Sequence, residues 1–400
     1  MIERGWFYCC LVALPVLIWA TEVPAAEPVA VALTFDQNED RANFIAQVRM
    51  ARQGDTESQW QVGLTYVKLG DPVRALPILK SAADVGHSRA AALLGWLYEE
   101  GRGIEKDISE AKRWYRIAAE HGEADAMSSL GRLTLKGVGT EAHEVAWQLF
   151  QRAAQLDDPD GQYYVGWMIV QRAKEPRDEM QAYDWFIKAA RQGHVGAQIA
   201  VATHLMTGRG VAKDTKAAGE WLARAAETRD PVAHYLLGRL WAGERDSGGA
   251  LDSARSSFRI AAAAGHRDAQ FALASLLVTS RSEADKKEAA DWFAKADEAG
   301  HKAAANRLGE MLRDGTGVIQ ELNKARKIFQ RAADQGNVDA MYNLAQMQND
   351  GLGGQQDIDK ALKWYTRAAD EGHEGATEMV RGLLSSSVKT SSLGLKGFWQ

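Results

Sequence analysis

The 400 residues predict an all-α chain, a right-handed α/α solenoid of about nine helix-pair repeats with capping helices. Three observations predict it: a bulky residue recurs every 35 or 36 positions, small residues at helical spacing precede each copy, and paired glycines punctuate the intervals. Composition agrees. With 46% hydrophobic and 25% charged residues and only eight prolines, the chain reads as folded rather than disordered, collagenous or multi-span. Its net charge of −5 and pI near 6.0, without a basic stripe, give no electrostatic reason to expect nucleic acid as a partner.

In chain order, residues 1–25 read as a signal peptide. Arg4 is followed by an apolar run from Trp6 to Ala20 and a small-residue exit at Val23-Pro24-Ala25, with cleavage expected after Ala25 or Ala26. The run is shorter than the ~20 residues a helix needs to cross a bilayer, so no stable membrane anchor is expected. The expected location is therefore periplasmic or secreted. Both cysteines, Cys9 and Cys10, fall in the removable segment, which takes thiolate metal sites, thiol catalysis and disulfides away from the mature chain. Residues 26–54 form an N-terminal segment and capping helix: Met50-Ala51-x-x-Gly54 echoes the end of a repeat, so about Glu39 to Arg52 reads as a lone second helix.

The repeats occupy 55–384. The bulky residue opening the phrase Trp-Tyr-x-x-Ala-Ala-x-x-Gly stands at Ile78, Trp114, Leu149, Trp185, Trp221, Ser257, Trp292, Ile328 and Trp364. An Ala-Ala pair follows in every copy but the seventh, which has Ala296-Asp297. A preceding phrase of the form Ala90-x-x-x-Leu94-Gly95-x-x-Tyr98 carries its central small residue at Gly63, Gly95, Gly131, Gly166, Ala202, Gly238, Ala274, Gly309 and Ala345. Each unit is thus two antiparallel helices. The central small residue is expected to let the Ala-Ala pair approach, with the Trp filling the space beside it. Loops such as Gly208-Arg209-Gly210 and Gly351-Leu352-Gly353 are expected as C-terminal caps, and Asp107 with Glu110 as a capping box. After the ninth unit Arg381 stands where a small residue is due, and serine-rich 385–400 reads as a flexible C-terminal tail.

These phrases resemble the Sel1-like repeat family, a branch of the tetratricopeptide-type helical solenoids, over about residues 55 to 384. Six of the nine histidines stand at unit junctions, as in Gly193-His194 and Gly372-His373, similar to the family's linker signature. The resemblance implies an exported bacterial member that binds another envelope or secreted protein and is a monomer by default, in exopolysaccharide export or envelope signalling.

No catalytic residues emerge. Ser386-x-x-Lys389 and Ser109-x-x-Lys112 match the serine–lysine pattern of penicillin-recognising and β-lactamase enzymes without the companion motifs. The penicillin-linked members of the family are cysteine-rich, which the mature chain is not. Junction histidines one unit apart lie roughly 10 Å from one another by helix packing, whereas a metal needs ligands near ~2 Å. No metal and no cofactor are expected.

A partner would lie along the concave face lined by first helices. By resemblance, groove positions lie three before and one, four and five after the central small residue. In the middle units these are Tyr163, Trp167, Val170, Ile199, Met206, Tyr235, Arg239 and Phe271. Trp60 and Trp96 extend the series toward the N-terminus, and Asn306, Arg313, Tyr342, Gln346 and Asn349 toward the C-terminus. Tyr163, Trp167 and Tyr235 are read as partner anchors because Val165, Ile169, Leu237 and Trp241 already supply a core stripe, although large apolar side chains at helical spacing are usually core. Stacked aromatics beside Asn and Arg would also suit a glycan or cell-wall ligand.

Overall fold

The computed structural model describes residues 38–137, 139–243 and 249–394, of which 38–41 and 385–394 as backbone only. The expected signal peptide and residues 26–37 lie outside the described residues.

The chain divides into two compact units at His87 and Ser88. The first holds α1 (Asn38–Arg52), α2 (Thr56–Lys68) and α3 (Pro72–Asp84). α1 is the expected lone cap, packing Phe44 and Ala51 onto Val62 of α2. The second unit stacks helix pairs into an all-α solenoid: α4 (Ser88–Glu100) with α5 (Ile108–Glu120), α6 (Ala124–Leu135) with α7 (Thr140–Gln155), and α8 (Pro159–Arg172) with α9 (Pro176–Arg191). Next come α10 (Val195–Thr207) with α11 (Thr215–Ala226), α12 (Pro231–Gly243) with α13 (Ala250–Ala263), and α14 (Arg267–Leu277) with α15 (Glu283–Glu298). Last are α16 (Ala304–Asp314) with α17 (Leu322–Asp334), α18 (Val338–Asp350) with α19 (Ile358–Asp370), and α20 (Glu374–Gly394).

What joins the two helices of a pair differs from expectation. The central glycine does not face the Ala-Ala pair. It faces the aromatic ring that follows the Trp position. A Cβ on Gly95 would lie 2.6 Å from Tyr115, on Gly131 2.7 Å from Phe150, on Gly166 2.8 Å from Phe186 and on Gly309 2.6 Å from Phe329. The Ala-Ala pair instead receives the next unit. Gly161 at the start of α8 has room for no Cβ because Ala153 of α7 would be 2.7 Å away. Helices approach at both places because one partner is small, and in each case the burial of a full side chain opposite supplies the hydrophobic gain. Of the repeat-opening Trp residues Trp114 is buried, and the other four are half-buried on the second helices. Trp185, Trp221, Trp292 and Trp364 each carry the cation three residues on, Lys188, Arg224, Lys295 and Arg367, 4.1 to 5.4 Å from the ring centroid. Asp297, which breaks the seventh Ala-Ala pair, makes an ion pair with Arg331 of α17.

The glycine loops do two jobs. The first glycine ends a first helix in the left-handed conformation, as at Gly208 (φ +75) and Gly351 (φ +72). The second sits against the start of the preceding unit's second helix. A Cβ on Gly353 (φ +66) would fall 2.3 Å from the Leu322 carbonyl oxygen, and one on Gly210 2.4 Å from Glu179. Gly353→Ala therefore meets both strain and a backbone clash, and is expected to lower the melting temperature by a cost of about 1–2 kcal/mol, read by thermal unfolding. Gly351→Ala, which has more room, should cost less.

Two other expectations change. Asp107 caps α5 by accepting from the Ser109 and Glu110 N–H groups, but Glu110 turns outward to Arg113, so no capping box closes there. A capping box does close at Glu175 and Asp178. Of the expected flexible tail 385–400, residues 385–394 continue α20 as helix. Met379, Val380 and Leu383 pack that helix onto the last core cluster, and serine costs a helix only a few tenths of a kcal/mol relative to good formers. Residues 395–400 lie outside the described residues.

Candidate functional site

In the second unit α4 touches α6 directly and α6 touches α8, so the first helices form the inner layer of the stack. The proposed groove residues all lie on such helices. Tyr163, Trp167, Val170, Ile199 and Met206 are brought together, half-buried against one core cluster that includes Phe186, Leu205 and Leu222. Tyr235 and Phe271 pack against the next cluster, around Phe258, Leu273 and Phe293. Arg239 is the exposed member of the set, its guanidinium 5.8 Å from the Tyr235 ring centroid and in no ion pair among the described residues. Val165 and Leu237 are buried as expected. Their burial does not free the tyrosines, because a second partner claims them.

That partner is the junction histidine. Tyr163 stacks on His194 (centroids 4.5 Å), Tyr235 on His266 (4.6 Å), Phe271 on His301 (4.1 Å) and Tyr342 on His373 (4.4 Å). Within the first unit Trp60 and His87 stack at 5.8 Å. The imidazoles also cap. Nδ1 of His194 accepts from the Ala197 N–H at 3.0 Å, that of His266 from Ala269 at 3.2 Å and that of His373 from Ala376 at 3.1 Å. Accepting at Nδ1 requires the proton on Nε2, which lies 3.4 Å from Asp160 in His194 and 3.9 Å from Asp339 in His373.

Where the groove position is not aromatic, the junction position that would stack on it is not histidine. Ala92, Ser128, Ile199 and Asn306 are followed about 30 residues later by Glu123, Asp158, Asp230 and Asn337. Asp158, Asp230 and Asn337 do the same capping with an oxygen, taking the Gly161, Ala233 and Ala340 N–H groups. The junction thus comes in two forms, a histidine that needs a ring to stack on and a short side chain that does not. The aromatic face turned toward its histidine is not free for a partner. Trp167, Val170, Met206 and Arg239 carry no such pairing.

Two polar networks on the inner layer escaped the sequence reading. Glu99 of α4 is 6% exposed and accepts two hydrogen bonds from Arg132 of α6, at 2.6 and 2.8 Å, and one from the Tyr115 hydroxyl at 3.1 Å. Burial pushes the Tyr115 phenol well up, and the Glu99 charge pushes it further. Toward the C-terminus Asn343 donates to Asn306 (2.9 Å) and Glu310 (3.2 Å) and accepts from Arg313 (3.0 Å). Asn306 and Arg313, expected in the groove, are therefore spent inside the protein. The signal for both networks was available as a charged or amide residue at first-helix positions that are apolar in other units.

An open concavity of about 330 Å³ lies between α14 and α16, with Val278 and Met311 at its wall and Ser275, Thr279 and Asp314 around them. Of the hydroxyls around it, Ser275 donates to the Phe271 carbonyl and Thr279 to Leu276, so neither of these is held by a base as a nucleophile would be. Ser109 begins α5, and the Ser386 side chain lies outside the described residues. Among the described residues no group of three His, Cys, Asp or Glu side chains is placed to hold a metal, and no helix is long and apolar enough to cross a membrane.

Comparison with known proteins agrees with this architecture. The Sel1 repeat profile matches residues 88–123, 124–158, 159–194, 195–227, 267–301, 302–337 and 338–373. It passes over α12 and α13, where Ser257 replaces the Trp. The chitin synthase regulator of Saccharomyces cerevisiae is 29% identical over 264 residues, 60% of this chain and 36% of the relative. The exopolysaccharide production negative regulator of Rhizobium leguminosarum is 27% identical over 177 residues, 40% of this chain and 66% of the relative. The chain thus spans about a third of the first relative and just under two thirds of the second. Among solved structures, a protective antigen present in uropathogenic Escherichia coli strains, displaying an SLR fold, superposes with a TM-score of 0.51 at 25% identity, covering 85% of this chain and 82% of that one. With the profile matching unit after unit over more than half of the chain, on the same helix pairs and junctions described above, the protein belongs to the Sel1-repeat family.

Proposed function

We propose that the protein is a non-catalytic adaptor of the bacterial cell envelope that holds a segment of another exported protein along its inner helical layer. Sel1 repeats act in protein–protein interaction, and the relatives described above are named as regulators. The observation that carries the reading is the row Trp167, Val170, Ile199, Met206, ending at the exposed Arg239: half-buried apolar side chains on helices beside an exposed cation, a pattern suited to an apolar segment with an acidic residue. The Rhizobium relative's name points the pathway toward control of exopolysaccharide production. The Met1 to Ala25 segment directs the chain to the periplasm or beyond, and fractionation with N-terminal mass analysis should find a mature chain beginning at Ala26 or Glu27.

The groove is tested by photo-crosslinking in native cells from a reactive amino acid at Arg239, with Lys216 on the outer helix α11 as the reference. One envelope protein should be crosslinked from position 239 and not from 216, and Trp167→Ala should reduce the adduct at least about tenfold with helix content unchanged. Equal adducts from both positions, or adducts with glycan alone, would replace the protein-groove reading.

A further inference from the structure

The histidines of α12 to α16 differ from those elsewhere. His194 and His373 face Asp160 and Asp339 across Nε2, so a protonated ring there keeps a carboxylate. At the position corresponding to those aspartates His266 has Val232. Arg267 and Asp268 follow it in the chain, and Arg239 of α12 lies over the Tyr235 ring on which His266 stacks. His301 has Phe271 on its ring and Asp268 of α14 at 3.9 Å, with Arg267 opposing that carboxylate, and its Nδ1 is buried without a hydrogen-bond partner. His234 of α12 likewise buries an unpartnered Nδ1, with Asp230 as its nearby charge. Three histidines in succession therefore depart from that arrangement, His266 by lacking the aspartate and His234 and His301 by burying an unpartnered Nδ1. Two of them stack on the groove residues Tyr235 and Phe271.

We propose that α12 to α16 form an acid-sensitive joint: protonating His266 removes the lone pair that caps α14, protonating His301 charges a buried ring, and both events loosen the setting of Tyr235 and Phe271 in the groove. The consequence for partner binding rests on the groove reading; the joint itself does not. Burial holds His301 and His234 below the usual histidine range. Unfolded histidines therefore take up protons first as pH falls. The stability these neutral rings contribute is complete above about pH 6.5 and is lost as pH drops through their folded values. A charged His266 would also face the positive end of α14, with Val232 where an aspartate stands across Nε2 of His194 and His373.

The test is hydrogen exchange on the full chain without partner, at pH 7.5 and 5.5, with rates corrected for intrinsic pH dependence. Protection in α12 to α16 should fall about tenfold on acidification, one ionisation's worth per unit of pH. Protection in α18 and α19, whose junction with α17 is the non-titrating Asn337, should hold. In a His234→Asn, His266→Asn, His301→Asn variant the acid loss should disappear, Asn337 showing that asparagine serves at the two junctions. Protection unchanged at pH 5.5, a uniform loss along the chain, or a loss that survives in the variant would overturn the joint. Proton NMR of the unmodified chain gives a second reading: an ordinary titration of His301 would sink it as well. None of these outcomes touches the groove reading, which the crosslink at position 239 decides by itself.

Discussion

Glu99→Ala is expected to destabilise the α4 to α6 region by about 3 kcal/mol, the cost of breaking a buried ion pair from one side. The carboxylate is nearly sealed from solvent and holds Arg132 through two short bonds and the Tyr115 hydroxyl through a third. Removing it leaves a guanidinium one-third exposed and a buried phenol without an acceptor, and each must be desolvated for nothing in return. A stack of repeats unfolds piecewise, so the loss should be read locally, as faster amide exchange in α4, α5 and α6 than in α18 and α19. Glu99→Leu combined with Arg132→Met should recover most of the stability, since an apolar pair of similar volume replaces the ionic one. If the double variant is no better than the single, the network contributes through geometry that methionine cannot reproduce.

Gly309→Val should cost a further 2–3 kcal/mol or about that, at the other end of the chain. Its Cβ would sit 2.6 Å from the Phe329 ring, and Phe329 is fully buried. Alanine should be tolerated better. Ala202, Ala274 and Ala345 occupy the same position in other units, so one methyl can be accommodated when the pair is built slightly wider. Phe329→Ala, which empties the other side of the same contact, should cost about 3–5 kcal/mol. Urea unfolding of α16–α17 reporters would rank the three. A valine variant as stable as the parent would mean that the ring is not what sets the distance between the two helices.

That contact also shows how far sequence reasoning reaches. Spacings of 35 and 36 residues and small residues four apart were enough to place the helix pairs and the α1 cap, because periodicity reports which residues share a face. Periodicity does not report which of two adjacent residues on the partner helix points at the gap. The sequence reading therefore sets the pair Ala332-Ala333 against Gly309 with Ile328 beside it, whereas the ring of Phe329 faces Gly309. The histidines show the same limit in chemistry. Their positions were legible, but capping by Nδ1 and stacking on a ring 31 residues upstream, as between Tyr163 and His194, are relations across a helix pair that no local pattern encodes. Of the groove set, Arg239 stands exposed with no ion pair among the described residues, whereas Tyr163, Tyr235 and Phe271 were legible as aromatic but not as already engaged. Residues 385–394 were read as tail from their serines, and the apolar anchorage of Met379, Val380 and Leu383 carried the helix through them.

The two forms of the junction constrain how such a chain can change length over generations. Excising residues 195–230 would join His194 to Pro231 and leave Tyr163 with His194 and Tyr235 with His266, every ring still matched to its imidazole. Excising 164–199, the same number of residues in a shifted frame, would set Tyr163 opposite Asp230 and strand an aromatic face without its partner. Duplications and deletions that survive should therefore break in the short stretch between a junction residue and the next groove position. The heritable module of this protein is set by that stretch and does not coincide with the helix pair as drawn from loop to loop.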